Sequence, residues 1–478
     1  MPSPYKQTLL IFLTAMACKT SAQAIIDANV MGAFKSVTKA RQEKVSLLVF
    51  LNKNSDKKTA LKMLQAIPNI KVSPLDFMPA LRVETSPDAN ILNRIAQTSA
   101  QISLYKPGTI ELDKSAQILK LTASDTYSSL NNWWAHGYTG KKAVVGIIDT
   151  GIDASHPALS QKKIIIRQEP GSDYSNYIQG VKEPHGTAMA CIYASSDSKY
   201  LGLAYGASTI VTGLAGSETA DTSSLMLTMG TLDWMLTRSG VTPSIINYSM
   251  GNGKLACQDC PEWSGLARVI DYVINTKKIL WVKSAGNMGY IAPTYSYPFA
   301  STLTVPGDNY NGLTVANMDP TVTEGSIKTK VVDRSLHHIT KTSSRGPTPF
   351  GRRKPDLAAP GHDTRTCAPD PLVYPFEYAP SMDYHDGYRL VGGTSSAAPH
   401  VGASILLLQD AGITEPIAIK ALLINSADTW ADETQGTEGK IIGSAWNRTY
   451  GFGYINMDEA FKQRKHIIQK NPDRQKQY

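Results

Sequence analysis

The stretch "AVVGIIDTGID", Ala143 to Asp153, decides the fold. Its first six residues are apolar or glycine, with no alternation of apolar and polar positions. A run of that length closed by a turn signal is the pattern of a strand covered on both faces, as in a parallel sheet. The run ends at Asp149, and Thr150-Gly151 follow as a turn. From residue 127 to Phe461, further apolar runs alternate with helix-like stretches. The pattern predicts an α/β domain built on a doubly wound, mainly parallel sheet. Ligands of such sheets gather at the carboxyl ends of the strands, so an acid ending a buried run is a candidate for chemistry. Taken alone, Asp149 fits a turn residue as well as a functional one.

Composition narrows the classes. The chain has 478 residues, 42% of them hydrophobic and 18% charged, enough for a large globular domain and a smaller one. The formal charge of +8 would suit a nucleic-acid binder, but the tail Lys462 to Tyr478 holds six Lys/Arg and one Asp and so carries +5 of it. With the rest near balance, nucleic acid is not an expected partner. The N-terminal "MPSPYKQTLLIFLTAMACKTSAQA" has a lysine, an apolar run from Leu9 to Ala17 and the small-x-small end Ala22-Gln23-Ala24. That is the layout of an export signal, so residues 1–24 are expected to be removed and the protein to be secreted or periplasmic. No later segment approaches the ~20 apolar residues of a membrane span.

Two further regions precede the sheet domain. Over 45–106, "KVSLLVFL", "IKVSPLDF", "PALRVET" and "ISLY" read as strands, and "SDKKTALKMLQAI" and "PDANILNRIAQTSA" as amphipathic helices. The order β-α-β-β-α-β is the split βαβ arrangement, a small α+β ferredoxin-like domain. Residues 107–126 show no strong period and read as a linker.

A second candidate lies in "VGGTSSAAPHV", Val391 to Val401, where glycines and a threonine lead into a serine pair and then an apolar helix. Ser395 there fits a helix cap, and it fits a nucleophile whose flanking glycines let a substrate approach. A serine nucleophile needs a base, and the base needs an orienting group. "EPHGTAMACIYAS" places His185 at the start of a helix rich in small residues.

Asp149, His185 and Ser395 follow one another in the order found in subtilisins, and the surrounding motifs strengthen the match. "DTG", "HGT", "GTSSAAP", "SAGN", "SSRGPT" with "KPDLAAPG", and "GFGYINMDEA" stand in the family's order. The chain resembles the subtilisin-like serine proteases over residues 127–461, and residues 25–106 are similar to the family's inhibitory propeptide. The resemblance implies Ser395 as nucleophile, His185 as general base and then acid, Asp149 as the group orienting the imidazole, and Asn287 as oxyanion donor. It also implies that protein or peptide substrates lie as an extended strand between Ser249-Met250-Gly251 and Ser284-Ala285-Gly286. A zymogen follows, with the propeptide as intramolecular inhibitor, a processing site in 107–126, a monomeric protease and a basic tail at 462–478. A catalytically inactive binding module of the same family is the alternative, which the retained triad and Asn287 oppose. A serine-carboxyl peptidase would need a glutamate and an aspartate where His185 and Asn287 stand.

Three departures from the family pattern matter. The usual "HGTHVAG" reads "HGTAMAC", which places Cys191 beside the catalytic helix. The segment after it lacks the asparagine-rich loop that binds calcium in many relatives. No cofactor or metal is therefore expected, weak calcium sites apart. Lys283 interrupts an otherwise apolar strand. With Cys18 removed, Cys191, Cys257, Cys260 and Cys367 allow three pairings, and a local Cys257–Cys260 bridge or free thiols suit the sequence better than metal.

Overall fold

The computed structural model describes residues 25–26, 45–51, 56–75, 80–86, 88–97, 99–105, 114–121, 133–167, 184–217, 222–223, 225–251, 264–290, 301–324, 327–368, 387–429 and 446–467. The expected export signal, most of the linker, the end of the basic tail and the Cys257–Cys260 pair lie outside these residues. The chain divides into two compact units, Met1–Glu111 and Leu112–Tyr478.

In the first unit β1 (Val45–Leu51), α1 (Lys57–Gln65), β2 (Ile70–Leu75), β3 (Ala80–Thr85), α2 (Ala89–Ala96) and β4 (Ser99–Tyr105) follow in turn. The sheet order is β4-β1-β3-β2, and the two-residue strand Ile25–Ile26 pairs parallel to β4 at the outer edge. Each helix starts at an aspartate that accepts from the first turn, Asp56 from Thr59 N at 3.0 Å and Asp88 from Asn90 N at 2.7 Å. Period-2 positions Leu47, Val49 and Leu51 of β1 meet Leu81, Val83 and Ile102 from its neighbours, and Leu64, Leu92 and Ile95 close the core from the helices.

The second unit contains an eight-stranded sheet. Its strands are β5 (Val144–Asp149), β6 (Lys163–Ile166), β7 (Thr209–Leu214), β8 (Ile245–Tyr248), β9 (Leu280–Ser284), β10 (Leu313–Asp319) and β11 (Leu357–Pro360), with a short strand His338–Ile339. The order runs β10-β9-β8-β5-β7-β6, β11 also pairs with β10, and only His338–Ile339 is antiparallel. The expected α/β class with a mainly parallel sheet is therefore correct. Buried runs such as Leu313–Asp319 carry no alternation because both faces are covered.

The helices that matter most for the site are α3 (Pro184–Ala194) and α6 (Thr394–Asp410), which pack on each other. Every residue of α6 from Ser396 to Leu408 is buried, so this helix runs through the centre of the unit. Between them in sequence lie α4 (Leu225–Thr237) and α5 (Gly265–Lys277), and α7 (Pro416–Asn425) and α8 (Met457–Gln463) follow. Among the described residues no helix is long and apolar enough to cross a membrane.

Two boundaries differ from the sequence reading. The expected linker 107–126 does not lie wholly between the units, because Ala116, Ile118, Leu119 and Leu121 belong to the second unit's core. Ser115 Oγ accepts from Lys330 Nζ at 2.9 Å and sits 2.8 Å from His400 Nε2 on α6. A stretch of eight residues is too short to show a period, and tertiary contacts alone place it. The basic tail also begins inside α8, at Lys462, and Arg464 at the end of that helix lies 3.4 Å over the ring of Phe461.

Candidate active site

Asp149 is the last residue of β5, at the carboxyl edge of the sheet, and is fully buried. Its Oδ1 accepts from Thr150 N at 2.8 Å and lies 2.6 Å from His185 Nδ1. Neighbouring residues repeat the link. Thr150 Oγ1 accepts from Gly186 N at 3.1 Å, and Thr187 Oγ1 accepts from Asp153 N at 2.9 Å. "DTGID" and "HGT" are thus joined residue by residue, which explains why both threonines occur. Gly186 is required by the approach, since a Cβ there would stand 2.0 Å from the carbonyl oxygen of Gly151. The imidazole, one-fifth exposed, is held by a buried carboxylate that fixes its tautomer and orientation.

Ser395 occupies the first turn of α6. Its N–H belongs to the group of helix-start donors without an intrahelical acceptor. Its Oγ donates to the carbonyl of Ser249 at 3.0 Å, and Ser249 Oγ donates back to the Ser395 carbonyl at 2.8 Å. The second bond has a definite cause. In an unbroken helix the Ser395 carbonyl would accept from residue 399, but that residue is proline and has no N–H. Ser249 supplies the missing donor and ties the turn that carries Ser395 to the end of β8. Asn247 Nδ2 donates to Ser249 Oγ at 3.0 Å, and Tyr193 of α3 donates to Asn247 Oδ1 at 3.1 Å. A buried polar chain therefore joins the histidine helix to the serine helix.

Asn287 follows β9 and is exposed. Its Oδ1 accepts from both Thr394 N at 3.0 Å and Thr394 Oγ1 at 2.9 Å, so the amide NH2 must face away from those donors. Nδ2 lies against Gly393, where φ is +113° and a Cβ would come within 3.1 Å of it. Thr394 Oγ1 also accepts from Gly286 N at 3.1 Å, and Ser344 N donates to Gly286 O at 2.8 Å. "GTS" and "SSRGPT" both brace the loop that carries Asn287.

The six expected substrate-contact residues divide in two. Ala285 donates to Val315 O at 2.9 Å and accepts from Thr304 N at 3.1 Å, and both backbone groups of Gly286 are bonded to Thr394 and Ser344. These two residues can form a wall but have no N–H left to donate to a substrate strand. Ser284 is buried at the end of β9, where its carbonyl and hydroxyl take the ammonium of Lys283. Met250 is half-buried and packs on the core, with Ser249 and Gly251 on either side of it at the end of β8.

Cys191 is bonded to Cys367, with a Cα–Cα distance of 5.8 Å, which is one of the three pairings open from the sequence and the one compatible with a local Cys257–Cys260 bridge. Sequence spacing cannot reveal a pair 176 residues apart. Cys191 lies on the histidine helix, and Cys367 ends β12 (Thr364–Cys367), which pairs with β13 (Tyr388–Val391) just ahead of Ser395. The two sulfurs and His156 form the one cluster of possible metal ligands among the described residues. Bonded to each other, the sulfurs offer no thiolate, and His156 Nε2 lies 2.8 Å from Gly387 O. The cluster is a clasp and not a metal centre.

A subtilase family match (peptidase family S8) covers residues 140–453. Bacillopeptidase F of Bacillus subtilis (strain 168) is 27% identical over 353 residues, covering 68% of this chain but only 21% of that protein. Serine protease AprX of the same organism is 28% identical over 327 residues, covering 66% of this chain and 67% of its own length. Among solved structures, the prenylagaramide maturation protease PagA aligns with a TM-score of 0.50 at 18% identity over 70% of this chain and 98% of that one, which speaks for the fold. The chain belongs to the subtilase family of subtilisin-like serine endopeptidases.

Proposed function

We propose that this chain is an exported serine endopeptidase, made as a zymogen that processes itself, with Ser395, His185 and Asp149 as its triad and Asn287 as oxyanion donor. The observation that carries this reading is the 2.6 Å link from His185 Nδ1 to the buried Asp149 carboxylate, on a helix packed against the one whose first turn holds Ser395. With Nδ1 held by the acid, Nε2 is the nitrogen that takes the proton in this mechanism. A serine hydroxyl has one proton, so activation requires Ser395 to exchange its bond to Ser249 O for one to His185.

Oγ then adds to the scissile carbonyl as its proton passes to the imidazole. The developing oxyanion lies between Asn287 Nδ2 and the Ser395 N–H, two donors held in place before substrate arrives. The imidazolium, stabilised by Asp149, returns its proton to the departing amine, and water repeats the sequence to release the acyl group. No metal or cofactor enters these steps. Protein or peptide substrates are the expected partners. The first unit, upstream and built in β-α-β-β-α-β order, suits the role of inhibitory propeptide. The Cys191–Cys367 bond accords with an oxidising compartment and so with export.

The test is labelling by a fluorophosphonate together with maturation of the expressed chain. Wild type is expected to label and shorten, and Ser395→Ala to do neither. Labelling of the variant, or its maturation without added protease, would overturn the assignment.

A further inference from the structure

Lys283 is the lysine that interrupts β9, and it is fully buried four residues before Asn287. Its ammonium meets only neutral acceptors: the Ser284 carbonyl, Ser284 Oγ at 3.1 Å and Thr304 Oγ1 at 3.3 Å. The acid whose charge acts on it is Asp308, but that carboxylate is taken by Ser264 N at 2.7 Å and Ser264 Oγ at 2.8 Å. Among the described residues Lys283 has no ion pair. Burial pushes its pKa down to about 7, with Asp308 pulling weakly upward. A buried charge without a countercharge costs several kcal/mol, and a fold keeps one where something offsets that cost.

The position of Thr304 indicates what does. Its side chain is wedged between the two segments expected to flank substrate. A Cβ on Gly251 would come within 2.9 Å of Thr304 Oγ1, and one on Gly286 within 2.7 Å of Thr304 Cγ2. A side chain entering between those glycines would meet the Thr304 hydroxyl, which accepts from the Lys283 ammonium at 3.3 Å. Because Oγ1 accepts from Lys283, its own proton is left for a weak 3.4 Å contact to Ala285 O or for an incoming anion.

We propose that Lys283 and Thr304 form the floor of a subsite for a carboxylate side chain, so that the protease cuts after glutamate or aspartate. The inference rests on Ser395 being the nucleophile. A substrate carboxylate accepts the Thr304 proton and supplies the countercharge that the buried ammonium lacks, in surroundings of low dielectric where the attraction is strong. A neutral side chain of equal size supplies neither.

The experiment compares the matured enzyme on peptide anilides identical except for Glu, Gln, Asp, Leu or Phe before the scissile bond, with active sites counted by fluorophosphonate. Glu and Gln differ in charge and hardly in shape. Wild type is expected to favour Glu over Gln in kcat/KM by roughly tenfold or more, a difference of at least about 1.4 kcal/mol in transition-state binding. Lys283→Met and, independently, Thr304→Val are each expected to bring that ratio towards one. Gln or Leu matching Glu in wild type overturns the subsite while labelled Ser395 leaves the protease reading intact. A ratio unchanged in the variants shows Lys283 to be structural only. Absence of labelling removes the nucleophile and the subsite together.

Discussion

Replacing Cys191 and Cys367 by alanine tests how far the clasp between the histidine helix and the serine hairpin matters. The bond closes a loop of 176 residues. In the chain-entropy view a loop that long restricts the unfolded chain by about 5 kcal/mol, an upper figure because engineered and native bridges more often return about 2–4 kcal/mol. Both sulfurs are buried, and their removal adds a small cavity cost in the same direction. Set against a typical total stability of about 5–15 kcal/mol, the loss is a large fraction. The assay is guanidinium unfolding in a Ser395→Ala background, which prevents self-digestion and keeps both chains in the same precursor form. The expected result is a lower midpoint with a somewhat steeper slope, because the unfolded chain without its crosslink exposes more surface, equivalent to a loss of about 2–5 kcal/mol. A second link between the same elements, the hydrogen bond from the Thr366 hydroxyl to Ala188 O at 2.8 Å, remains in the variant, so the fold should survive. A loss below about 1 kcal/mol would refute the reasoning, because it would mean that the bridged elements are held as well by packing alone.

Asn287→Leu keeps side-chain size but removes the amide donor. In subtilisin, loss of one such donor costs roughly 10²–10³ in kcat, about 3–4 kcal/mol, and a similar loss with little change in KM is expected here on a peptide ester. A kcat within about threefold of wild type, at equal melting temperature, would remove Asn287 from the mechanism. Ser249→Ala strips the donor from the Ser395 carbonyl, which Pro399 cannot replace. The unpaired acceptor should cost about 1–3 kcal/mol in denaturant unfolding, again measured in the Ser395→Ala background, and an unchanged midpoint would deny the bond any weight.

The sequence by itself determined the class of sheet, the order of the first unit's elements and the identities of the triad candidates. Those features are local or chemical. Buried parallel strands read as unbroken apolar runs such as Val144–Ile148, amphipathic helices carry their period along the chain, and nucleophile, base and acid must be particular residue types in glycine-rich turns. The tertiary structure alone decided what those residues touch. Pro399 in "GTSSAAP" is legible as a motif, but its consequence, a Ser395 carbonyl that takes its donor from Ser249, 146 residues away at the end of β8, depends on how α6 meets β8. Cys191 pairs with Cys367, and the stretch Lys114–Leu121 enters the second unit's core, for the same reason. A contact between distant segments leaves no period and no fixed spacing in either one. Lys283 is the sharpest case. Its place in the strand is visible in the sequence, yet its burial among neutral acceptors, behind Thr304 and away from any carboxylate partner, exists only once β8, β9 and the loop carrying Thr304 have been brought together.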